Sequence, residues 1–545
     1  MTAGTESEIA RPGPRERVHT VPTLAAIALA SITLPLTVTG PAVALSDMAA
    51  DLGSSVAAAQ WVQNAYGVTF AACLLAAGGL ADRFGRRRVL LTGLALFCLM
   101  SLVCTVATSM LLVDIARAVQ GVGAAGVLTS GAAILAASFQ GPARAQAFGV
   151  LGGSFGCGLA LGPLTAGALV SAGSWRAVFA INVVVGLVVV ALARFIPESR
   201  NPVATRVDWG GAATFSGSLG LLALMFVEGP DQGWLTPATL GSLAGAVALM
   251  VAFVLVELRV EHPMFDLSLF RRPTFIVVVC QPFTITFGFV VLLVYLPPYF
   301  QGAGGHTATE AGALLLPLTV PVFLVPLVAG RIAAKIPLRV MLAASSTLIA
   351  AGSLWLMTLQ PDASWTGLAG PLLVFGVGVG SAFGVMDNAA VSVAPVERAG
   401  MASGIFNTMR ITGESVAIAG AAALLASLTL RDLNDRAPSL SGNARDLAGE
   451  GVQGRIDGAL DSVPSDQRQY ALDAAAHGLT SAMHTAFLLL AGLALLGAIT
   501  TYAVIRDREF DDAAEGATET NEAAETNETP AKAGSGTAEP GPAGA

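Results

Sequence analysis

The chain has 545 residues, of which 54% are hydrophobic and only 12% are charged. Soluble domains contain about 25% charged residues, so this composition excludes a water-soluble globular protein, a disordered chain and a nucleic-acid-binding protein. The formal net charge of −8 does not indicate acidic partners, because much of it lies in the C-terminal tail. All five cysteines lie in apolar runs, and we expect them to be buried hydrophobic side chains rather than disulfide or metal ligands.

Apolar runs dominate the chain between a polar N-terminal segment (1–20) and a C-terminal tail (505–545) that has too few large apolar residues to fold. A membrane helix needs about 20 apolar residues. Fourteen runs approach or exceed that length: 22–46, 57–78, 89–108, 109–134, 146–170, 174–196, 208–228, 236–258, 273–300, 309–330, 339–359, 366–394, 401–430 and 480–504. The first run exceeds the roughly 7–15 residues of a signal-peptide core, so we expect an uncleaved span. The sequence therefore predicts an all-α integral membrane protein.

Arginine and lysine concentrate in alternate short loops, which predicts that both termini are cytoplasmic. Two of these loops, GGLADRFGRRR (78–88) and GRIAAKIPLR (330–339), form a weak internal repeat. The repeat predicts two six-helix bundles, at 21–200 and 273–504, separated by a two-helix insert and linker at 201–272. In this arrangement 431–479 is a long extracellular loop, in which Ser465 is a candidate helix cap.

The loop at 78–88 contains an acid among arginines at the end of a membrane helix. Its notable residues are Gly78, Asp82, Arg83, Gly85, Arg86 and Arg87. A glycine at a helix end permits close approach of a neighbouring helix. The arginines alone would fit a topological anchor, but Asp82 and Gly85 exceed that need, so we interpret the loop as an inner gate.

The fourth span contains Asp114, Arg117 and Gln120 on one helical face. Arg117 lies roughly 12 Å into the membrane, where a charge is costly and must face protein or water. We consider the pair a candidate for proton coupling, and the alternative is a purely structural Asp114–Arg117 ion pair.

The thirteenth span places Ser403, Asn407, Arg410 and Glu414 on one face, with Glu414 roughly 20 Å from the inner end. Glu414 and Arg410 are further candidates for proton coupling, and the alternative is an ion pair between them that holds the bundle together. Asp387, on the twelfth span, either joins this function or extends to the cytoplasmic surface.

Two further sets of residues suggest a transport path. The fifth span, GLALGPLTAG, has small residues four positions apart at Gly158, Gly162 and Ala166, followed by Gly167. Pro163 bends this helix, and we expect the small residues at the interface of the two halves. The predicted lining of a substrate cavity comprises Gln60, Asn64, Tyr66, Gln120 and Asn407.

Taken together, these motifs resemble the fourteen-helix drug:proton antiporter branch of the major facilitator superfamily over about residues 22–504. The loop at 78–88 is similar to the signature loop of that family, 117–121 to its Arg-x-x-Gln-Gly motif, and 158–167 to the pattern that marks its antiporters. The resemblance implies two pseudo-symmetric six-helix bundles in the cell membrane and export of drugs or antibiotics by alternating access. The proton would be the coupling ion, and we expect no cofactor, a small organic substrate and a monomer in the lipid bilayer.

The chain departs from that family at two points. Thr37 occupies a first-span position that often holds an Asp, so the resemblance leaves the proton-carrying residue open. Ala334 and Lys335 stand where the second basic loop would hold its acid, which predicts an asymmetric inner gate. Two alternative functions remain, a symporter that imports a small metabolite and a membrane-bound lipid-modifying enzyme. No nucleotide-binding glycine loop is present, so ATP is not the expected energy source.

Overall fold

The computed structural model describes residues 20–54, 59, 61–199, 208–260, 267–333, 335–394, 399–454, 456–460 and 463–506. Within these ranges all regular secondary structure is helical. The predicted disordered tail lies outside the described residues from 507 onwards, as do Gln60 and Ala334.

Eight helices make up the first half of the chain and the insert. They are α1 (Thr20–Asp51), α2 (Trp61–Phe84), α3 (Arg86–Val106), α4 (Met110–Ser138), α5 (Gly141–Ala172), α6 (Arg176–Leu192), α7 (Trp209–Gln232) and α8 (Pro237–Glu257).

In the described part of the second half, three helices have 30 or more residues and seven are shorter. They are α9 (Pro273–Gly302), α10 (Ala308–Leu314), α11 (Leu316–Ile332), α12 (Leu338–Trp355), α13 (Trp365–Phe383), α14 (Met386–Ser392), α15 (Ala399–Arg436), α16 (Ala444–Val452), α17 (Ile456–Leu460) and α18 (Arg468–Val504). Short 3₁₀ turns occur at Ala193–Phe195, Leu267–Arg271, Leu356–Thr358 and Pro438–Leu440.

The predicted number of spans is confirmed. In the described part of the chain, 13 segments are long and apolar enough to cross a membrane, with α13 and α14 counted as one. The shorter α11, at 17 residues, is also apolar and supplies the fourteenth. Between α2 and α3 the chain turns at Gly85, whose φ of 108° lies in the region that favours glycine.

The two halves meet along two equivalent seams. The second helix of each half packs against the fifth helix of the other, so that α2 contacts α15 and α11 contacts α5. Backbones touch at these seams: a Cβ placed on Gly78 would lie 2.9 Å from the carbonyl carbon of Gly400, and one on Gly149 would lie 2.7 Å from the carbonyl oxygen of Pro326. Because only glycine fits at such separations, the glycines set the distance between the halves.

The inserted hairpin lies beside one of these seams. Helix α7 packs against both α2 and α15, and α8 packs against α7. Asp208 begins α7 by accepting a hydrogen bond from the backbone N–H of Gly211 at 2.8 Å, which satisfies a free donor of the first turn.

The segment 431–479 is folded rather than an open loop. Helix α15 continues to Arg436, α18 begins at Arg468, and α16 and α17 pack between them around Leu433, Leu440, Leu447 and Val463. The predicted cap is wrong, because Gln467 and not Ser465 immediately precedes α18.

The prediction that every cysteine is buried is also wrong. Cys104 is buried, whereas Cys280 is exposed and the other three are half-buried. An exposed thiol in an apolar run is explained by a membrane-facing helix surface, where the solvent is lipid rather than protein.

Candidate functional site

The loop at 78–88 joins the two halves at one end of the bundle, here called the basic end after Arg83 and Arg86–Arg88. Asp82 is buried and accepts hydrogen bonds from the backbone N–H groups of Gly400 at 3.3 Å and Met401 at 3.1 Å. Its Oδ1 also accepts a hydrogen bond from Nη2 of Arg86 at 3.0 Å. The carboxylate therefore caps the first turn of α15, where the helix dipole favours negative charge.

A second carboxylate, which the sequence analysis missed, supports the same loop. Glu198, just beyond α6, accepts the backbone N–H of Arg87 at 3.1 Å and lies 3.7 Å from Nε of Arg88. A Cβ on Gly85 would lie 2.6 Å from Oε1 of Glu198 and would displace that carboxylate, while the φ of 108° is what favours glycine here. The remaining signature arginine, Arg83, lies over the ring of Phe84 at 5.1 Å.

The two basic loops are unequal, as predicted. Gly330 on α11 packs against α5 as Gly78 on α2 packs against α15, which matches the internal repeat. The start of α5 nevertheless has no side-chain cap, since Gln140 precedes it without a capping hydrogen bond. In the described structure, only the α2–α15 seam combines glycine contact with a capping carboxylate.

Arg117 on α4 is fully buried inside the first half. Nε donates to the carbonyl of Val62 at 2.7 Å, Nη2 to the carbonyl of Thr37 at 3.1 Å and Nη1 to Oε1 of Gln120 at 2.7 Å. Its guanidinium lies 4.3 Å from the ring centre of Tyr66.

The proposed Asp114–Arg117 ion pair is therefore wrong, because among the described residues Arg117 is satisfied by carbonyl oxygens and Gln120 rather than by Asp114. Asp114 is half-buried, with a buried Oδ1 that lacks a partner. Thr37 of α1 contacts Arg117 through its backbone carbonyl.

A second buried cluster lies in the other half. Asp387 and Arg410 are both buried, and Oδ2 of Asp387 lies 3.6 Å from Nη1 of Arg410. Phe155, on α5 of the opposite half, lies 4.3 Å from the guanidinium and stacks on it. Two of the alternatives are thus wrong: Arg410 pairs with Asp387 rather than with Glu414, and Asp387 is buried rather than extended to the membrane surface.

Glu414 lies one turn beyond Arg410 and is half-buried. It forms no ion pair within 4.0 Å in the part of the chain that the structure describes. Asn407 is fully buried one turn before Arg410, and its amide donates to the carbonyl of Ser403 at 2.9 Å, leaving Oδ1 without a partner.

The predicted cavity residues do not form one surface. Tyr66 and Gln120 are buried in the Arg117 cluster, where Nε2 of Gln120 donates to Ser101 at 2.5 Å. Asn407 belongs to the Arg410 cluster and Asn64 is half-buried on α2. Position 60 cannot be placed, because it lies outside the described residues. The sequence thus identified polar residues of two separate clusters and assigned them to a single cavity.

The glycines of the antiporter-like pattern lie elsewhere than predicted. A Cβ on Gly158 would lie 2.5 Å from Cγ of Pro35, and one on Gly162 would overlap Thr39, so both pack on α1 within the same half. Gly167 faces open space, and nothing is described of the side chain of Pro163. The contacts of α5 with the opposite half come instead from Gly149, Gly152 and Gly156.

At the end opposite the basic end, α1 and α6 are joined by charge. Arg176 donates to Oδ2 of Asp51 at 2.6 Å and Trp175 donates to the same oxygen at 3.1 Å. The hydrogen bond from Arg176, and then that from Trp175, lower the pKa of the Asp51 carboxyl below its ordinary value.

The sequence model of the Major Facilitator Superfamily matches residues 25–418. The chain belongs to this superfamily. It is 32% identical to the Multidrug resistance protein Stp of Mycobacterium tuberculosis (strain CDC 1551 / Oshkosh), over 71% of this chain and 72% of that protein. It is also 32% identical to the Tetracenomycin C resistance and export protein of Streptomyces glaucescens, over 74% of this chain and 76% of that protein.

The fold is similar to that of a solved bacterial homolog of the human lysosomal transporter Spinster. The TM-score is 0.53 at 16% identity, with 88% of this chain and 96% of that chain covered. The chain is thus a multi-pass membrane transporter of small molecules and not an enzyme. This superfamily generally needs no cofactor.

Proposed function

We propose that the protein exports amphipathic drugs or antibiotics across the cell membrane in exchange for protons, by alternating access and with both termini in the cytoplasm. The observation that supports this best is the buried Asp387–Arg410 pair, which lies between the halves with the partly accessible Glu414 one helical turn away. Titratable groups inside a membrane bundle are costly and mark ion or substrate paths. The names of the relatives, which refer to drug resistance and export, support the outward direction.

The seams between the halves provide a means of opening the central path to one side of the membrane at a time. In this conformation the halves are closed at the basic end by glycine-to-backbone contacts and by Asp82 on the first turn of α15. Opening that end would break these few contacts together, because they join rigid helices. The basic end would then admit substrate from the cytoplasm, and its closure would direct the substrate outward.

Glu414 is our choice of coupling carboxylate. It has no ion-pair partner in the described structure, whereas Asp387 is held by Arg410 and Asp82 by Arg86. A coupling group must exchange its proton as the access changes, and a carboxylate fixed in an ion pair is less free to do so. Arg117 and Asp114 form a second candidate site in the other half.

Transport by purified protein in liposomes tests the proposal. A pH gradient, acidic on the side opposite the basic end, should drive accumulation of a fluorescent drug against its concentration gradient. One proton moving down 100 mV releases roughly 2.3 kcal/mol, enough for more than a tenfold gradient of a neutral substrate. If drug and proton instead move in the same direction, the chain is an importing symporter, and if the pH gradient has no effect, protons are not the coupling ion.

A further inference from the structure

One edge of the Arg410 side chain lacks the hydrogen bonds that a buried guanidinium requires. The side chain is 2% exposed, and both Nε and Nη2 are buried without a hydrogen-bond partner among the described residues. The fully buried Arg117, by contrast, uses all three of its nitrogens. Unpaired buried donors of a charged group are costly, so their retention indicates a partner in another step of the transport cycle.

The two free nitrogens define the geometry of that partner. Nε and Nη2 form the side edge of a guanidinium, from which two parallel N–H groups fit the two oxygens of a carboxylate. Asp387 does not occupy this edge, because it approaches Nη1 and only to 3.6 Å. A carboxylate can therefore bind Arg410 without displacing Asp387.

The surroundings of Arg410 suit an amphipathic ligand. Phe155 stacks on the guanidinium and meets Phe383 edge-to-face at 6.4 Å, and Phe383 meets Phe289 at 5.9 Å. These rings form an apolar, aromatic wall next to the charged edge. Such a wall would contact the apolar body of a molecule whose acidic group binds Arg410.

Access to this edge depends on the position of the halves. Phe155 is adjacent to Gly156, whose backbone packs against Val322 of the opposite half, whereas Arg410 belongs to that opposite half. Separation of α5 from α11 at the basic end would withdraw the ring from the guanidinium. The ring lies over the guanidinium and leaves the Nε and Nη2 edge unoccupied, so its withdrawal would enlarge the space beside that edge for a ligand.

We propose that Arg410 binds the carboxylate of an acidic amphipathic substrate through Nε and Nη2, with the rings of Phe155 and Phe383 beside the apolar body of that substrate. This inference rests on the proposed export function and names the substrate class of the same path. A membrane potential that is negative inside would also favour the outward movement of an anion.

Binding of pyrenebutyrate and of its uncharged methyl ester to the full-length protein in detergent tests the proposal. The chain has six tryptophans, so energy transfer from tryptophan to pyrene reports both affinities. At neutral pH we expect the wild type to bind the acid at least about tenfold more tightly than the ester, since charge-assisted hydrogen bonds are the stronger ones. Equal binding of acid and ester by the wild type would overturn the proposal, whatever happens to any variant.

Arg410→Lys keeps the charge next to Asp387 but removes the two-nitrogen edge. It should weaken binding of the acid about tenfold and leave binding of the ester within about twofold. Arg144→Lys is the matched control, because Arg144 on α5 also has buried, unpartnered Nε and Nη2 but lies at the start of its helix. Equal losses in the two variants would refute a specific role for Arg410.

Transport of the same probes separates this inference from the proposed function. If the protein exports the ester as well as the acid, the proposed export function stands and the proposed carboxylate site at Arg410 is refuted. Selective binding of the acid without pH-driven export would support the site and overturn the proposed antiport.

Discussion

Replacement of Asp82 by Asn should favour the open basic end. Asn has the same shape, so the change removes charge with little loss of packing. The lost carboxylate accepts four hydrogen bonds, two from Arg86 at 3.0 and 3.2 Å and two from the backbone of α15. Arg86 is 3% exposed and would lose its charged acceptor, while its Nη1 keeps the carbonyl of Ala133 at 3.3 Å. Hydrogen bonds to charged groups contribute about 1.5–3 kcal/mol each, and two of the four join Asp82 to the opposite half.

The cost falls mainly on the closed conformation, because Gly400 and Met401 belong to the opposite half. Loss of one charge-assisted hydrogen bond across the seam, about 1.5–3 kcal/mol, shifts the equilibrium toward the open basic end by roughly 10- to 10²-fold. We expect membrane levels near those of the wild type and almost complete loss of efflux.

Hydrogen exchange followed by mass spectrometry measures this shift directly. Peptides that cover 399–404 should exchange faster in Asp82→Asn, because two amide hydrogens of that turn lose a charged acceptor. Asp51→Asn provides the matched control, since it removes an ion pair at the other end of the bundle and should leave these peptides unchanged. Unchanged exchange at 399–404 together with normal efflux in Asp82→Asn would refute the reasoning.

Three other variants test different parts of the structure. Gly78→Ala should impair closure and reduce efflux severely, because its Cβ would lie 2.9 Å from the Gly400 carbonyl carbon. Gly167→Ala, in open space, should retain efflux in the same assay. Equal activity of the two variants would contradict the requirement for glycine where the two halves meet. Glu414→Gln should abolish pH-driven uphill efflux but retain substrate binding, and intact substrate-induced proton release from this variant would exclude Glu414 as the coupling residue. Asp51→Asn should lower the melting temperature at neutral pH. The difference from wild type should begin to shrink as the pH falls below about 4 and should vanish only below the lowered folded-state pKa of Asp51. A difference that stays constant through this range would contradict an ionic origin.

The membrane fold could be predicted from composition and run length because lipid imposes one dominant constraint on the chain. Each span must be apolar over a fixed length and satisfy its own backbone hydrogen bonds, so hydropathy alone locates the helices. The contact between Asp82 and Arg86 was also accessible, since both belong to one compact motif and lie four positions apart.

The partners of the buried charges could not be predicted in the same way. Periodicity placed Arg410 and Glu414 on one face of α15, but the partner that the structure assigns to Arg410 is Asp387 of α14. Similarly, Arg117 is satisfied by carbonyls of α1 and α2, which no side-chain pattern encodes. Helical spacing identifies neighbours within one helix, whereas these partners depend on the rotation of each helix in the bundle.

Glu198 and Phe155 were missed for a related reason. Neither belongs to a motif, and each acts on a residue from a different helix, Glu198 on the start of α3 and Phe155 on Arg410. The only local signal was an acid that follows the sixth span next to a basic loop. The glycines of α5 show a different error. The sequence correctly predicted close helix packing at Gly158 and Gly162, but these residues pack on α1, and the glycines one to three turns earlier pack on the other half.

The seams between the halves have a consequence for how the protein can evolve. At Gly78, Gly149 and Gly156 the contacts join backbone to backbone, so closure does not depend on which side chains line the centre of the bundle. Substitutions around Asn407 or Phe155 can therefore alter the range of accepted compounds while the rocking movement is inherited unchanged. New resistance spectra should arise from such central positions, while lineages that lose a seam glycine should lose all transport at once.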